Sequence, residues 1–323
     1  MKTRTNLQKL ETYYNIFLSI VKDHRRTITS IAKYIGHTGR GKRRATVSNY
    51  LHEMYDKKIS LKPNLVLKSF INPERRVYLC KGENRDNIWN TFEKLRADDR
   101  ISYVVLISGD CDFFMTSNDP NLNLSDFDLR ITESSMLYTP IYIIPHGWKT
   151  NFSNATKKII NFPFKPGKLD RKTRSTLQWS DIDVQIFQSM RKDARQAFSQ
   201  VADLCGVAPN TVKTHYFNTV LPSCKIAHYF FPRGYHHYHQ SLFRIQTEYE
   251  ISFVKALGML PNTVYVYPFE SGLCVNFFHD NINILMTLMG KMEEKKIIKS
   301  FTLYTPLWHN FYDTHGENGR KGD

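Results

Sequence analysis

An internal repeat constrains this chain of 323 residues more than any other feature. The tetrapeptide Leu-Tyr-Thr-Pro occurs at 137–140 and again at 303–306. Other segments repeat in the same order: IFLSIVKDHRRTITSIAKYIG (16–36) with IFQSMRKDARQAFSQVADLCG (186–206), TVSNYL (46–51) with TVKTHY (211–216), and ISGDCDFF (107–114) with ESGLCVNFF (270–278). Because the order is kept while the offset drifts by a few residues, we interpret the chain as a tandem duplication of a unit of roughly 150 residues. Both copies of the tetrapeptide are then expected on the last strand of their units.

The first part of each unit has the spacing of short helices. The second copy opens with a Ser-Asp cap before apolar residues at Ile182, Ile186 and Met190, which is amphipathic helical spacing. A second helix is expected to end at Gly206 and a third to begin near Pro209, because Gly favours helix C-termini and Pro favours the first turn. Three short helices with a tight turn before the third are typical of a helix-turn-helix, whose third helix enters the major groove of DNA.

The net charge of +15 is concentrated in these two helical parts. Residues 1–62 hold 14 Lys and Arg against 4 Asp and Glu, and residues 165–233 hold 11 against 5. The two segments therefore carry +10 and +6, and the rest of the chain carries −1. Basic residues that neutralise phosphates supply sequence-independent affinity for a polyanion, so this distribution favours a nucleic-acid partner.

The remainder of each unit predicts strands and helices in the order β-α-β-β-α-β. In the first unit these are RRVYLCKG (75–82), NIWNTFEKLRAD (87–98), ISYVVLIS (101–108), CDFFMTS (111–117), LSDFDLR (124–130) and MLYTPIYIIP (136–145). The second unit gives the same order. This is the ferredoxin-like plan, an antiparallel sheet with both helices on one face. The other face must be covered, most economically by the other copy.

The segment DIDVQIFQSMRKDARQAFSQVADLCGVAPNTV (181–212) and the hairpin VVLISGDCDFF (104–114) resemble the Lrp/AsnC (leucine-responsive, feast/famine) transcription regulators. The resemblance extends over nearly the whole chain, as two complete units. It implies DNA binding by the recognition helices, dimerisation through face-to-face sheets, and often a small effector such as an amino acid near a Gly-x-x-Asp hairpin. Gly109 and Asp112 match this motif, and the effector is expected to contact Gly109, Asp110 and Asp112. The second copy keeps Gly272 but has Val275 in place of the acid.

The expected fold class is therefore α+β, with two tandem units that each consist of a (winged) helix-turn-helix domain followed by a ferredoxin-like βαββαβ domain. The expected boundaries are 1–65 and 66–149 for the two domains of the first unit, 150–178 for a basic linker, 179–232 and 233–310 for the second unit, and 311–323 for a disordered tail. Family members usually carry one unit per chain, so this chain is expected to form an intramolecular pseudo-dimer, alone or within a homodimer.

The function expected from these features is sequence-specific regulation of transcription, with double-stranded DNA as partner and no enzymatic activity. Neither a cofactor nor a metal is expected. The DNA contacts are expected from the basic loop and the third helices: Arg40, Lys42, Arg43, Arg44, Thr46, Ser48, Asn49, His52, Asn210, Thr211, Lys213, Thr214 and His215.

The basic loop allows another interpretation. GHTGRGK (36–42) has the spacing of a nucleotide-binding P-loop. However, Arg43 follows where that loop needs Ser or Thr, and a helix precedes it instead of a strand. The stretch is then either a loop that contacts phosphates or a flexible basic turn.

The histidine-rich stretch RGYHHYH (233–239) supports a rival function. His237 and His239 would share one face of a strand, but no Cys or carboxylate pair nearby completes a metal site. Some relatives of the resembled family are siroheme decarboxylases, in which His and Arg handle the propionates of the substrate. That resemblance implies an alternative set of site residues: Tyr235, His236, His237, His239 and Arg244.

Cysteine usage and hydropathy indicate the compartment. The five cysteines are scattered and form no C-x-x-C pair, which argues against a disulfide framework and a zinc cluster. No apolar stretch approaches the roughly eighteen residues of a spanning helix. A soluble cytoplasmic protein without a membrane partner is expected.

Overall fold

The computed structural model describes residues 2–36 and 42–309 of the chain. The first helical unit comprises α1 (Lys2–Lys22), α2 (Ile28–Tyr34) and α3 (Lys42–Asp56), followed by strands β1 (Asn64–Leu67) and β2 (Phe70–Asn72). The Thr27 hydroxyl caps α2 by accepting a hydrogen bond from the Ser30 backbone N–H (3.2 Å). Ile16 and Phe17 of α1 are buried against the apolar faces of α2 and α3, as amphipathic spacing requires.

The first ferredoxin-like domain follows as β3 (Arg76–Gly82), α4 (Ile88–Ala97), β4 (Ile101–Ser108), β5 (Phe113–Ser117) and β6 (Leu129–Met136). Side chains alternate between its two sheet faces. Tyr78 and Cys80 of β3 pack with Phe92 of α4, while Val77 and Leu79 point to the opposite face.

The two units are connected by β7 (Ile141–Ile143), α5 (Phe152–Ile160) and β8 (Arg174–Thr176), of which β8 pairs with β2 in parallel. The second helical unit comprises α6 (Asp181–Met190), α7 (Phe198–Cys205), α8 (Pro209–His215), a π-helical turn (Tyr216–Val220), α9 (Leu221–Ser223) and strand β9 (Cys224–Ala227). A capping box starts α6, since the Ser180 hydroxyl and backbone N–H both donate to Asp183 Oδ2 (2.6 and 2.9 Å). Strand β9 pairs antiparallel with β1, so the strands after the two helical units pair with each other.

The second ferredoxin-like domain comprises β10 (His239–Gln246), α10 (Glu250–Leu257), β11 (Val264–Pro268), β12 (Leu273–His279), α11 (Ile282–Glu294) and β13 (Ser300–His309). Its strands join those of the first domain in one nine-stranded sheet of order β6-β3-β5-β4-β13-β10-β12-β11-β7. Each half has the ferredoxin-like order, and the halves meet where β13 pairs antiparallel with β4, Thr305 opposite Ser108. The predicted fold class is confirmed.

The inner faces of the two halves also contact each other. The ring centroids of Phe114 and Tyr267 lie 5.9 Å apart, and Arg244 Nη2 lies 2.5 Å from Glu133 Oε1. The buried apolar cluster between the halves comprises Val77, Leu79, Val105, Ile107, Cys111, Phe114, Leu242, Phe269, Cys274 and Tyr304. Each half therefore covers the sheet face that the helices of the other half leave open. The two halves are also joined edge to edge, through the pairing of β4 with β13.

The two copies of Leu-Tyr-Thr-Pro occupy different structures. The second lies within β13, but the first lies between β6 and β7, so the expectation that both lie on the last strand is wrong for the first copy. The reason is that Leu124–Phe127 forms only a short 3-10 turn, which ends at Asp128 in the left-handed conformation (φ 54°). The last strand therefore begins already at Leu129, and the downstream Ile141–Ile143 instead pairs with β11 of the second unit.

Among residues 2–36 and 42–309, no helix has the length and apolar character needed to cross a membrane.

Candidate functional site

A cavity of about 460 Å³ lies where β1, α6 and the inner face of the nine-stranded sheet meet. We call it the tyrosine cavity. From the first unit it is lined by β1, β4 and β5, and from the second by α6 and β11. Its walls therefore exist only when the two units are packed together.

Five tyrosines form one wall of this cavity: Tyr103, Tyr142, Tyr229, Tyr265 and Tyr267. Tyr142 lies at the centre of the group, with its ring centroid 5.4 Å from Tyr229 and 5.6 Å from Tyr265. Burial raises the pKa of each phenol above its usual value near 10. The wall is thus aromatic, and its hydroxyls stay protonated at neutral pH.

Three cations complete the lining: Arg75, Arg191 and Lys192. The Arg75 guanidinium is held by the carbonyls of Leu67 and Lys68 (2.9 and 3.0 Å), and burial lowers the pKa of Arg75 to about 10, so it remains charged at neutral pH. Arg191 and Lys192 follow the C-terminus of α6 and are exposed. Since none of the described lining residues is acidic, the cavity is electropositive.

Neutral polar groups are also present in the lining. Asn64 Oδ1 is buried and accepts no hydrogen bond from the described residues, while the Ser102 and Thr116 hydroxyls bond to each other (2.8 Å). An aromatic wall with a few polar and cationic groups suits a flat ligand with anionic substituents.

The alternative residue set from the histidine-rich stretch does not line this cavity. Tyr235–His237 forms a 3-10 turn in which His236 and His237 are exposed, and His239 is exposed at the start of β10. Arg244 is buried between the sheet halves and donates to Glu133. The structure therefore does not bring these residues together as a site.

The residues predicted to contact DNA are only partly described. Arg40 and the side chains of Lys42, Arg43 and Arg44 lie outside the described part of the structure. The exposed members of the set are Asn49 and His52 on α3 and Asn210, Lys213 and Thr214 on α8, while Thr46, Ser48, Thr211 and His215 are half-buried.

His215 has an intramolecular partner, because its Nδ1 lies 2.9 Å from Asp183 Oδ1. The remaining predicted contacts stay predictions.

Part of the basic charge of the helical segments is used inside the protein. Arg25 Nη1 donates to the carbonyls of Ala194 and Gln196 (2.9 and 2.7 Å). Arg195 donates to the carbonyls of His24 and Arg26 (2.5 and 3.0 Å). These arginines join the two helical units, so the concentration of charge does not by itself indicate a polyanion partner.

The hairpin predicted for an effector lies away from the tyrosine cavity. Gly109 (φ 135°) packs against Leu303 and Tyr304 of β13. Asp110 is exposed, and Asp112 Oδ2 accepts a hydrogen bond from the Gly82 N–H (2.9 Å). Within the described residues, no group of three or more His, Cys, Asp or Glu is placed to hold a metal.

The tyrosine cavity was not predicted from the sequence. One signal was available in TVYVYP (263–268), where Tyr265 and Tyr267 alternate with valines. Alternation places both rings on one face of a strand, the face turned away from the helices.

Comparisons with known proteins identify the fold. No family model matches the sequence, and no curated protein matches it. The chain is similar to a crystal structure of the siroheme decarboxylase NirDL, with 9% identity, 92% of this chain and 91% of that chain covered, and a TM-score of 0.47. It is also similar to the siroheme decarboxylase NirDL in co-complex with an iron-uroporphyrin III analogue, with 8% identity, 91% and 92% covered, and a TM-score of 0.50. At these identities the likeness shows a shared fold over nearly the whole of both chains.

Two expectations from the sequence are therefore corrected. The function of a DNA-binding transcription regulator is wrong, and so is the expectation that the chain is not an enzyme, because the neighbours that share its two-unit fold are decarboxylases. Several of the basic residues that suggested a nucleic-acid partner have other roles in the structure. Arg25 and Arg195 bind backbone carbonyls inside the protein, and Arg191 and Lys192 line the tyrosine cavity.

Proposed function

We propose that this chain is an enzyme that binds a carboxylated tetrapyrrole in the tyrosine cavity and removes a carboxyl group from it, as a siroheme-decarboxylase-like protein. The observation that carries the proposal is the lining of the cavity, in which five tyrosines and three cations occur without a described acidic residue. The ligand class is supported by the neighbour in co-complex with an iron-uroporphyrin III analogue.

The two parts of the lining match the two parts of such a ligand. A tetrapyrrole has a flat conjugated ring, which the aromatic wall would contact face or edge on. Its carboxylates would pair with Arg191, Lys192 and the inner Arg75, since charge-assisted hydrogen bonds to carboxylates are among the strongest in proteins. The carbonyls of Leu67 and Lys68 already hold the Arg75 guanidinium in place.

The cavity suits the carboxylates better than it suits an iron ion. Its described lining contains no His, Cys or Met, which are the common protein ligands of haem iron. We therefore treat any iron as part of the substrate and assign the protein no step at the metal.

Decarboxylation needs little from the protein besides a dry site and a proton. The bond between the carboxylate carbon and its neighbour breaks, CO₂ leaves, and a proton takes the place of the carboxylate on the substrate carbon. Burial away from water destabilises a carboxylate relative to neutral CO₂. The protonated tyrosine hydroxyls of the wall are available as donors at neutral pH.

The test is titration of the purified protein with siroheme and with iron-uroporphyrin III, followed in the Soret region, with mass spectrometry of the recovered tetrapyrrole. We expect stoichiometric binding of both and loss of the mass of CO₂ from siroheme. The double variant Arg191→Gln/Lys192→Gln should bind at least roughly 10-fold more weakly, whereas Lys157→Gln/Lys158→Gln, which changes two exposed lysines of α5, should bind normally. Absence of binding by the wild type, or equal effects of the two double variants, would reject the proposal.

A further inference from the structure

A second, much smaller cavity of about 10 Å³ lies between the two halves of the sheet. Tyr103, Tyr265 and Tyr267 line both this cavity and the tyrosine cavity. Gln240 and Asn276 line only the small one. These three tyrosines therefore lie between the tyrosine cavity and a small polar pocket in the protein interior.

Tyr265 is the member of this wall with a defined partner in the interior. It lies directly opposite Asn276 in the pairing of β11 with β12, and Asn276 Nδ2 donates to the Tyr265 hydroxyl oxygen at 2.5 Å. An amide NH₂ group only donates, so the phenol oxygen is the acceptor in this bond. The Tyr265 proton is not used in this bond, so the hydroxyl can still act as a donor.

The other end of Asn276 explains how it holds this orientation. Asn276 Oδ1 and Gln240 Oε1 are buried acceptors on the small cavity and receive no hydrogen bond from the described residues. A cavity of this size holds about one water molecule. A water molecule there would donate to both oxygens and would fix the Asn276 amide with its NH₂ group toward Tyr265.

We infer that Tyr265 is the proton donor of the decarboxylation and that Asn276 positions and supports it; this inference rests on the function proposed above. In the reaction the carbon–carboxylate bond breaks and CO₂ leaves. The electron pair on the substrate carbon takes the proton of the Tyr265 hydroxyl, and the resulting phenolate takes a proton from water. One carboxylate and one proton give CO₂ and a C–H bond, with no oxidant or reductant.

The environment of Tyr265 suits both steps, the donation of its proton and the return of a proton to the phenolate. Burial and the neighbouring tyrosines raise the pKa of Tyr265 well above 10, so the hydroxyl is reloaded with a proton after each turnover. The N–H of Asn276 stabilises the phenolate selectively, because a hydrogen bond to the charged form favours that form.

The chain offers a matched control for Tyr265. Tyr78 of β3 is also a buried strand tyrosine, but it lines neither the tyrosine cavity nor the small cavity. We would compare Tyr265→Phe, Tyr78→Phe and Asn276→Leu with the wild type. Affinity would be measured by Soret titration with iron-uroporphyrin III. The rate of the reaction would be measured as CO₂ release from siroheme in a single turnover. Deuterium incorporation into the product would be measured in D₂O.

We expect Tyr265→Phe to bind within about twofold of the wild type and to release CO₂ at least about 100-fold more slowly, the usual effect of removing a general acid. Tyr78→Phe, which changes no residue of either cavity, should keep the rate of the wild type within a few-fold. Asn276→Leu should slow turnover by roughly 10-fold at unchanged affinity, since one hydrogen bond to the phenolate is lost. The wild-type product formed in D₂O should carry one deuterium for each CO₂ released.

The outcomes separate this inference from the function on which it rests. A wild type that does not bind, or that binds siroheme and releases no CO₂, rejects the proposed function and the inference together. A wild type that turns over, with Tyr265→Phe as fast as Tyr78→Phe, keeps the function and rejects the role of Tyr265. Parallel losses of affinity and rate in Tyr265→Phe would make it a binding residue and would also reject the inference.

Discussion

Arg25 and Arg195 occupy equivalent positions in the two repeats and make reciprocal contacts across the interface of the two helical units. Each donates to two backbone carbonyls of the other unit. The Arg25 guanidinium also lies 4.0 Å from the ring centroid of Phe198. The two arginines thus form a pseudo-symmetric pair, since the same position of each repeat makes the same kind of contact with the other unit.

The first prediction concerns this pair of arginines. Arg25→Met should lower the free energy of unfolding by about 2 kcal/mol, because two carbonyls lose a charged donor, and Arg195→Met should do the same. Arg25→Lys should not restore the loss, since a single ammonium lacks the fork that reaches both carbonyls. Urea unfolding measures the effect, with Lys158→Met on the exposed face of α5 as control. If Arg25→Met is as stable as the control, the arginine does not hold the units together.

The second prediction concerns acid stability. Burial, helped by the charge of Arg25, lowers the pKa of His24 to about 4, and burial lowers the pKa of His279 to about 4. An unfolded histidine titrates near 6.5, so below that pH the unfolded chain binds more protons than the folded one. Each histidine therefore contributes up to about 3 kcal/mol to the free energy of unfolding. This contribution should be fully present above about pH 6.5 and should be lost as the pH falls to about 4.

Variants of these histidines provide the check. Urea unfolding at pH 7 and pH 4.5 should give a smaller difference in His24→Gln and His279→Gln than in the wild type. His52→Gln, which changes an exposed histidine of α3, should leave the difference unchanged. Identical pH dependence in all four proteins would mean that carboxylates alone cause the acid sensitivity.

The sequence predicted elements whose formation is local and missed arrangements that depend on distant partners. The cap before α6 and the stop at Gly206 were readable because their signals lie within a few residues of the structures they set. The position of the first Leu-Tyr-Thr-Pro could not be predicted from the local sequence. The strand that follows it pairs with a distant segment of the second unit, with Tyr142 opposite Tyr265. The tyrosine cavity was missed for the same reason, since its lining is gathered from segments between Asn64 and Tyr267.

The third prediction concerns the ion pair of Arg244 and Glu133 between the sheet halves. Arg244 is almost fully buried and donates to both Glu133 oxygens (2.8 and 2.5 Å) and to several carbonyls. Arg244→Met should lower the free energy of unfolding by about 3 kcal/mol, because the partly buried Glu133 carboxylate and those carbonyls would lose their charged hydrogen-bond donor. Adding Glu133→Gln should recover part of the loss.

Arg244 also belonged to the alternative site residues, and the same variant separates the two roles. A purely structural role predicts normal tetrapyrrole affinity in folded Arg244→Met, measured by Soret titration at low temperature. Arg100→Met, which breaks an exposed ion pair with Asp98, should have a much smaller effect on stability. Loss of affinity with unchanged stability would return Arg244 to the binding site.

The last prediction concerns Gly109, where the two sheet halves are joined. Its φ of 135° is unfavourable for a side chain, and an added Cβ would lie 2.9 Å from both the Leu303 carbonyl oxygen and the Tyr304 ring. Gly109→Ala should therefore lower the free energy of unfolding by about 2 kcal/mol, through backbone strain and overpacking against β13.

Gly290 is the matched control for this change. It lies inside α11, where an added Cβ would meet nothing within 4 Å, so Gly290→Ala should raise stability by about 0.5 to 1 kcal/mol through helix propensity.

Because the cavity wall combines Tyr103 of the first half with Tyr265 of the second, a shift at the β4–β13 junction should also weaken tetrapyrrole binding. Gly109→Ala should thus lose affinity without changing a residue of the cavity, and Gly290→Ala should keep it. Equal affinity in both variants would show that the cavity does not depend on how the sheet halves are joined.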